Sequence, residues 1–343
     1  LLTDPTSSSL FLLGMGRDQE HADLVSAINF YRINFEDGSI DSLSSSVPLM
    51  SGEHVHLQGE IDESNQKLWV LFGSKNQEDK LQPVFYKIDL LSFEIENVTN
   101  GEIPLAIVDF SLHSTSNAAF LLSQSGILYH FDEPGGSFSA VELAAFPAGI
   151  AVSKKRNRIF VSRGEIGGIY VVGANGYIQQ TLSTQASQSI LLDDTADRLY
   201  AYEREDLRVY ELSTLRSISR IPNLMEKIPN IATAKADYTR GFIWAIGQKE
   251  LVKLDMFTGT YLGGISLENQ IDYLAVDSQR QKAYLVGVTG NPDPFLAGYI
   301  FVSILDLENE EILETIKAPP PYLWGWQSMP HPPENEGMAF DPQ

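Results

Sequence analysis

The residues best suited to chemistry fall in a few short stretches. His54 and His56 alternate, so both imidazoles can face one way on an extended segment with Glu53 or Glu60 nearby. An HxH pair is a legitimate metal-ligand spacing, but no third ligand is defined beside it, and ordinary hydrogen-bonded loop histidines are the plainer reading. No metal and no cofactor is expected. Near the far end, PPPYLWGWQSMPHPP sets Tyr322, Trp324 and Trp326 at alternate positions, with His331 following. Prolines hold such a segment extended, which would bring three rings to one side, suited to stacking on a sugar, a proline-rich peptide or a cation. The same rings could instead cap an apolar end or seal a junction. Arg17 and His21 belong to a further polar stretch, RDQEHAD. No G-x-S-x-G, H-E-x-x-H or comparable motif is present, so catalytic residues stay unidentified.

Composition narrows the classes of partner. With 24 Lys+Arg against 45 Asp+Glu, the formal net charge is −21. A field of that sign repels nucleic-acid backbones and anionic membranes, so neither nucleic-acid binding nor membrane insertion is expected. Zero cysteines exclude a disulfide framework, a thiol nucleophile and a Cys-ligated zinc site. No run approaches the 18 apolar residues of a membrane span. The opening LLTDPTSSS has neither a basic n-region nor a cleavage motif and reads as a mature or trimmed terminus. An acidic, cysteine-free chain of this kind leans towards an extracytoplasmic, periplasmic or secreted bacterial protein, and towards a monomer.

The elements that must position these residues come from a repeat. An Asp-led turn between two apolar strands recurs, with anchors at Asp4, Asp62, His113, Ser153, Asp193, Asp237 and Asp277. Seven residues after each anchor stands an aromatic: Phe11, Trp69, Phe120, Phe160, Tyr200, Trp244 and Tyr284. Two further apolar runs complete each copy, short and rich in β-branched and aromatic residues, which is strand chemistry. Four strands per repeat of about 40 residues predicts an all-β fold, a closed seven-bladed β-propeller of antiparallel blades spanning 1–343 as one domain. A partial eighth copy at Asp341 would close the ring by joining the first blade, although LLTDP competes for that slot. Residues one and three before each anchor are mostly apolar and should pack blade on blade. The position between them is mixed, and Glu60, Ser111 and Lys235 there are expected to line a channel.

Several copies resemble the YVTN-type repeats of YncE-like propellers. The carrying segments are RLYAYEREDLRVYELSTLRSISRI, IFVSILDLENEEILETI and FPAGIAVSKKRNRIFVS, so blades four to seven fit best. The resemblance implies a propeller and little about activity, because its relatives include binding proteins, quinoprotein subunits and seven-bladed lactonases.

Repeat spacing points to where a site would lie. Anchors are 40, 40, 44 and 40 residues apart from His113 to Asp277, but blades one and two take 58 and 51 and the last takes 64. The extra length falls at 17–26, 73–83, 287–298, 47–56 and 318–335, all in second-to-third or blade-to-blade connections. Because strands alternate in direction, these should form one wall, carrying His21, His54, His56, His331, Trp324 and Trp326. The expectation is a non-catalytic scaffold binding a peptide, glycan or protein through the long loops of blades seven, one and two. A propeller hydrolase of the lactonase type, using His54 or His56 with Glu60, is the alternative. A structural repeat module of a larger surface protein is the third reading.

Overall fold

A computed structural model describes residues 2–4, 9–17, 24–34, 39–51, 55–62, 65–75, 81–97, 107–113, 118–132, 137–143, 147–173, 176–185, 187–194, 196–203, 206–222, 233–237, 240–247, 250–271, 273–278, 280–289 and 299–318. Among them there is no helix. The described residues form twenty-eight strands in seven four-stranded antiparallel sheets, each built from four consecutive strands, as in the blades of a β-propeller. Blade one comprises β1 (Leu2–Asp4), β2 (Ser9–Arg17), β3 (Leu24–Asn34) and β4 (Ile40–Ser51). Blade two is β5 (Val55–Asp62), β6 (Lys67–Lys75), β7 (Leu81–Asp89) and β8 (Ile95–Asn97). Blade three is β9 (Ile107–His113), β10 (Ala118–Ser123), β11 (Ile127–Asp132) and β12 (Ser137–Glu142). Blade four holds β13 (Gly149–Ser153), β14 (Arg158–Ser162), β15 (Ile169–Gly173) and β16 (Ile178–Leu182). Blade five holds β17 (Ser187–Asp193), β18 (Arg198–Glu203), β19 (Asp206–Glu211) and β20 (Arg216–Ile221). Blades six and seven are β21 (Thr233–Asp237) to β24 (Tyr261–Ser266), through β22 (Phe242–Ile246) and β23 (Glu250–Asp255), and β25 (Tyr273–Asp277) to β28 (Glu311–Ala318), through β26 (Lys282–Thr289) and β27 (Tyr299–Asp306).

The Asp-led signature has a local cause. Asp62, Asp193 and Asp277 each accept the amide hydrogen three residues on, at 3.2, 2.8 and 2.9 Å, and Ser153 Oγ does the same for Arg156 at 3.2 Å. A short side-chain acceptor thus replaces a backbone partner at the tip of the hairpin. The residue after that closes the turn in the left-handed region, with φ of 53° at Gln66, 51° at Asn157, 61° at Asp197 and 57° at Gln281. The third-to-fourth turns repeat the device, since Asp89, Asp255 and Asp306 accept amides two and three residues on.

Each of the seven aromatics after an anchor is buried, none more than 7% exposed. In every blade that aromatic pairs across the sheet with the residue two before the anchor: Leu2–Phe11, Glu60–Trp69, Ser111–Phe120, Ala151–Phe160, Leu191–Tyr200, Lys235–Trp244 and Ala275–Tyr284. Directly paired residues share one face of a sheet. The mixed position expected to line a channel therefore sits beside the ring, and Lys235 is only 8% exposed.

Contacts divide the chain into two compact units. Within the unit of blades two to five, the core lies between successive sheets. Trp69 and Phe85 pack with Phe110 and Phe131, and Phe160 and Val171 pack with Leu192 and Leu199. Within the unit of blades six, seven and one, Trp244 and Leu251 meet Leu274 and Phe301, while Ile33 joins Tyr284 and Val302. The first and last blades thus adjoin. The slot beside β2 is held by Leu2–Asp4, and the segment around Asp341 lies outside the described residues.

Candidate functional site

Two features stand out from the regular repeat: lengthened hairpins on three blades, and a pair of carboxylates on the first strands. The second strand begins five residues after the anchor in every blade, so blades differ only in how far they run on from there. In blades one, two and seven the second and third strands have 9 and 11, 9 and 9, and 8 and 8 residues. In blades three to six they have 5 or 6. At ~3.4 Å per residue, about three extra residues carry each hairpin ~10 Å further. Part of the length expected as loop is therefore paired strand: Arg17 pairs with Val25, Lys75 with Leu81, and Thr289 with Tyr299. The same holds between blades one and two, where β4 runs to Ser51 and β5 starts at Val55, leaving 52–54 of the expected long connection.

Arg17 ends β2, and His56 stands in β5 in register with Gly73. His21, His54, Tyr322, Trp324, Trp326 and His331 lie outside the described residues.

The carboxylates lie in the unit of blades two to five, where the first strands of blades two, three and four touch in succession. A first strand has a sheet partner on one side only, so alternate backbone N–H groups along its other edge need a different acceptor. Glu60 on β5 supplies one, accepting from the Leu112 amide on β9 at 2.9 Å. Asp109 on β9 repeats this one blade on, accepting from the Ile150 amide on β13 at 2.8 Å and from its own neighbour Phe110 at 2.9 Å. The Gln58 carboxamide donates to the same Asp109 carboxylate, and the Ser111 hydroxyl hydrogen-bonds Glu60. Gly149 lies beside this carboxylate: a Cβ there would be in ordinary contact with Asp109 Oδ2 at 3.5 Å and Ser162 Oγ at 3.4 Å.

Both carboxyls are half-buried and hard to ionise. Burial pushes Glu60 up to about 8, against the opposing pull of Lys154, the Leu112 amide and Ser111, and the Asp109 charge adds to the rise. Burial likewise pushes Asp109 up to about 6, although Gln58 and the amides of Ile150 and Phe110 favour its charged form. Glu60 and Ser111 were legible from sequence as a mixed position, but Gln58 and Asp109 were not. The one available signal was that both stand four residues before an anchor, two along the same strand face from Glu60 and Ser111.

No protein-family model and no curated protein matches the chain. Among solved structures, a chain of one described as "Crystal Structure of Mitotic Checkpoint Complex" aligns with a TM-score of 0.54 at 11% identity, over 76% of this chain and 79% of that one. A second, described as "KlHsv2 with loop 6CD replaced by a Gly-Ser linker", aligns with a TM-score of 0.53 at 12% identity, over 78% and 82%. At such identities the likeness is one of fold alone.

Proposed function

We propose that this propeller is a non-catalytic scaffold that binds a peptide, glycan or protein through the lengthened hairpins of blades seven and one. The observation that carries the reading is the selective extension of β2–β3 and β26–β27 in two blades that adjoin, with β6–β7 of blade two extended alike. A rigid blade that lengthens selected strands holds a recognition loop at little cost to the core. Tyr322, Trp324, Trp326 and His331 follow β28 of blade seven, and His21 lies between β2 and β3, so they join the proposed surface on sequence grounds. Membership of the YVTN-type group and an extracytoplasmic location belong to the same proposal. That a solved structure of like fold is part of a multiprotein assembly agrees with a binding role.

A propeller hydrolase is the second reading, favoured by the raised carboxyls of Glu60 and Asp109. Weighing against it, both groups already accept backbone amides from the next blade.

A thermal-shift screen of the full chain against proline-rich peptides, oligosaccharides and lactones tests the choice. A ligand at a hundred times its Kd adds about 2.7 kcal/mol. A peptide or glycan shift should vanish when 18–23 and 290–298 are each replaced by Asn-Gly, and weaken in Trp324→Ala/Trp326→Ala. A shift that survives all of these changes removes the hairpins as the site, and turnover of a lactone would replace the scaffold reading with the hydrolase.

A further inference from the structure

Blades two, three and four are linked by side chains as well as by their apolar interfaces. Glu60 reaches from β5 to the Leu112 amide of β9, and Asp109 reaches from β9 to the Ile150 amide of β13. The two bonds run in one direction and share the middle strand, so the carboxyl groups occupy neighbouring space and feel each other's charge. We infer that Glu60 and Asp109 form a proton-controlled clasp on the first strands of blades two to four, closed while Glu60 is uncharged and loosened when it ionises beside ionised Asp109.

The surroundings set how the clasp responds. Asp109 has three donors, Gln58 and the amides of Phe110 and Ile150, which is enough to hold one negative charge. Glu60 has the Leu112 amide, the Ser111 hydroxyl and the charge of Lys154, from the turn after β13. On the β6 side it is paired with Trp69, whose ring lies under the Lys87 ammonium at 4.7 Å, so that cation is already engaged with the indole. On the β10 side, Ser111 is paired with Phe120, which stacks on His130 at 4.7 Å. Ser162 of β14 faces the Gly149 position and brings no charge. A second negative charge in this half-buried space therefore meets one compensating cation and one like charge. Between about pH 6 and about pH 8 Asp109 is ionised and Glu60 is not; above that both are.

The test is carboxyl-carbon NMR of the full chain from pH 5 to 10, with Glu60 assigned by its disappearance in Glu60→Gln, alongside hydrogen exchange at Leu112 and Ile150. Glu60 should titrate near pH 8. Protection of the two amides, corrected for intrinsic exchange, should fall by up to roughly tenfold per pH unit as pH rises towards that midpoint and level off above it. Glu60→Gln keeps an acceptor for Leu112 and should abolish the pH dependence of protection above about pH 6, leaving only that of Asp109 below it. Titration of Glu60 in the ordinary carboxylate range, or protection that stays constant through pH 9, overturns the clasp. If Glu60→Gln does not fold, Lys154→Met serves instead: its Glu60 midpoint should move higher still, and an unmoved midpoint counts against the proposal.

Discussion

Glu60 and Leu112 are 52 residues apart in sequence, yet the carboxyl of one accepts the amide hydrogen of the other at 2.9 Å. The bond gives the open edge of β9 an acceptor that its own sheet does not provide. Asp109 does the same for Ile150 on β13. Edges that would otherwise be left with unsatisfied donors are thus closed by the preceding blade.

Asp109→Ala should destabilise the chain by about 2–3 kcal/mol, because it strands the Ile150 and Phe110 amides and the Gln58 carboxamide together. Asp109→Asn keeps an acceptor and should cost less than half as much. Thermal unfolding of both at pH 7 checks the order, and equal losses would show that the amides find water instead.

Stability should peak on the acid side of neutrality. Glu60 and Asp109 are raised above their ordinary 4.5 and 3.8, so what they contribute is fully present below those values and is lost as pH rises through about 8 and about 6. Asp89 works in the opposite sense. The Lys67 ammonium at 2.8 Å, with the Ser92 and Leu91 amides, holds it down to about 2, so its contribution is present above 3.8 and lost as pH falls towards 2. Asp89→Asn should flatten only the acid limb of a plot of unfolding temperature against pH, and Glu60→Gln only the alkaline limb.

Trp69→Ala should cost about 3–5 kcal/mol. The indole is 1% exposed and meets Phe85 and Phe131 edge-on, at 6.1 and 6.5 Å between centroids, so its loss opens the interface of blades two and three. Trp69→Phe should recover most of the loss in urea denaturation.

Gly287→Ala should destabilise blade seven by about 1–3 kcal/mol. A Cβ there would stand 2.2 Å from the Gln270 carbonyl oxygen and 2.7 Å from Phe301 Cζ, and the backbone atom has nowhere to retreat. Gly263→Ala meets nothing within 4 Å of its Cβ but must take a φ of 155°, a smaller local penalty. Differential scanning calorimetry of the pair separates packing from backbone strain.

The repeat, its strands and its turns were legible in the sequence because their causes are local. An Asp or Ser anchor accepts an amide three residues away, a left-handed residue follows, and the aromatic seven residues on faces the core by strand alternation alone. The spacing of anchors likewise located the lengthened blades, although it could not say that residues such as Arg17, Lys75 and Thr289 continue as paired strand, since pairing depends on a partner. Other properties waited on tertiary structure. Lys235 and Glu60 look like wet positions in a mixed column, but the sheet sets each of them against a buried indole. Asp109 carried no distinguishing neighbours in sequence, because its partners are an amide 41 residues ahead and a carboxamide 51 behind. Local rules decide what a strand or turn is; which donors meet which acceptors between blades is decided only when the blades are packed side by side.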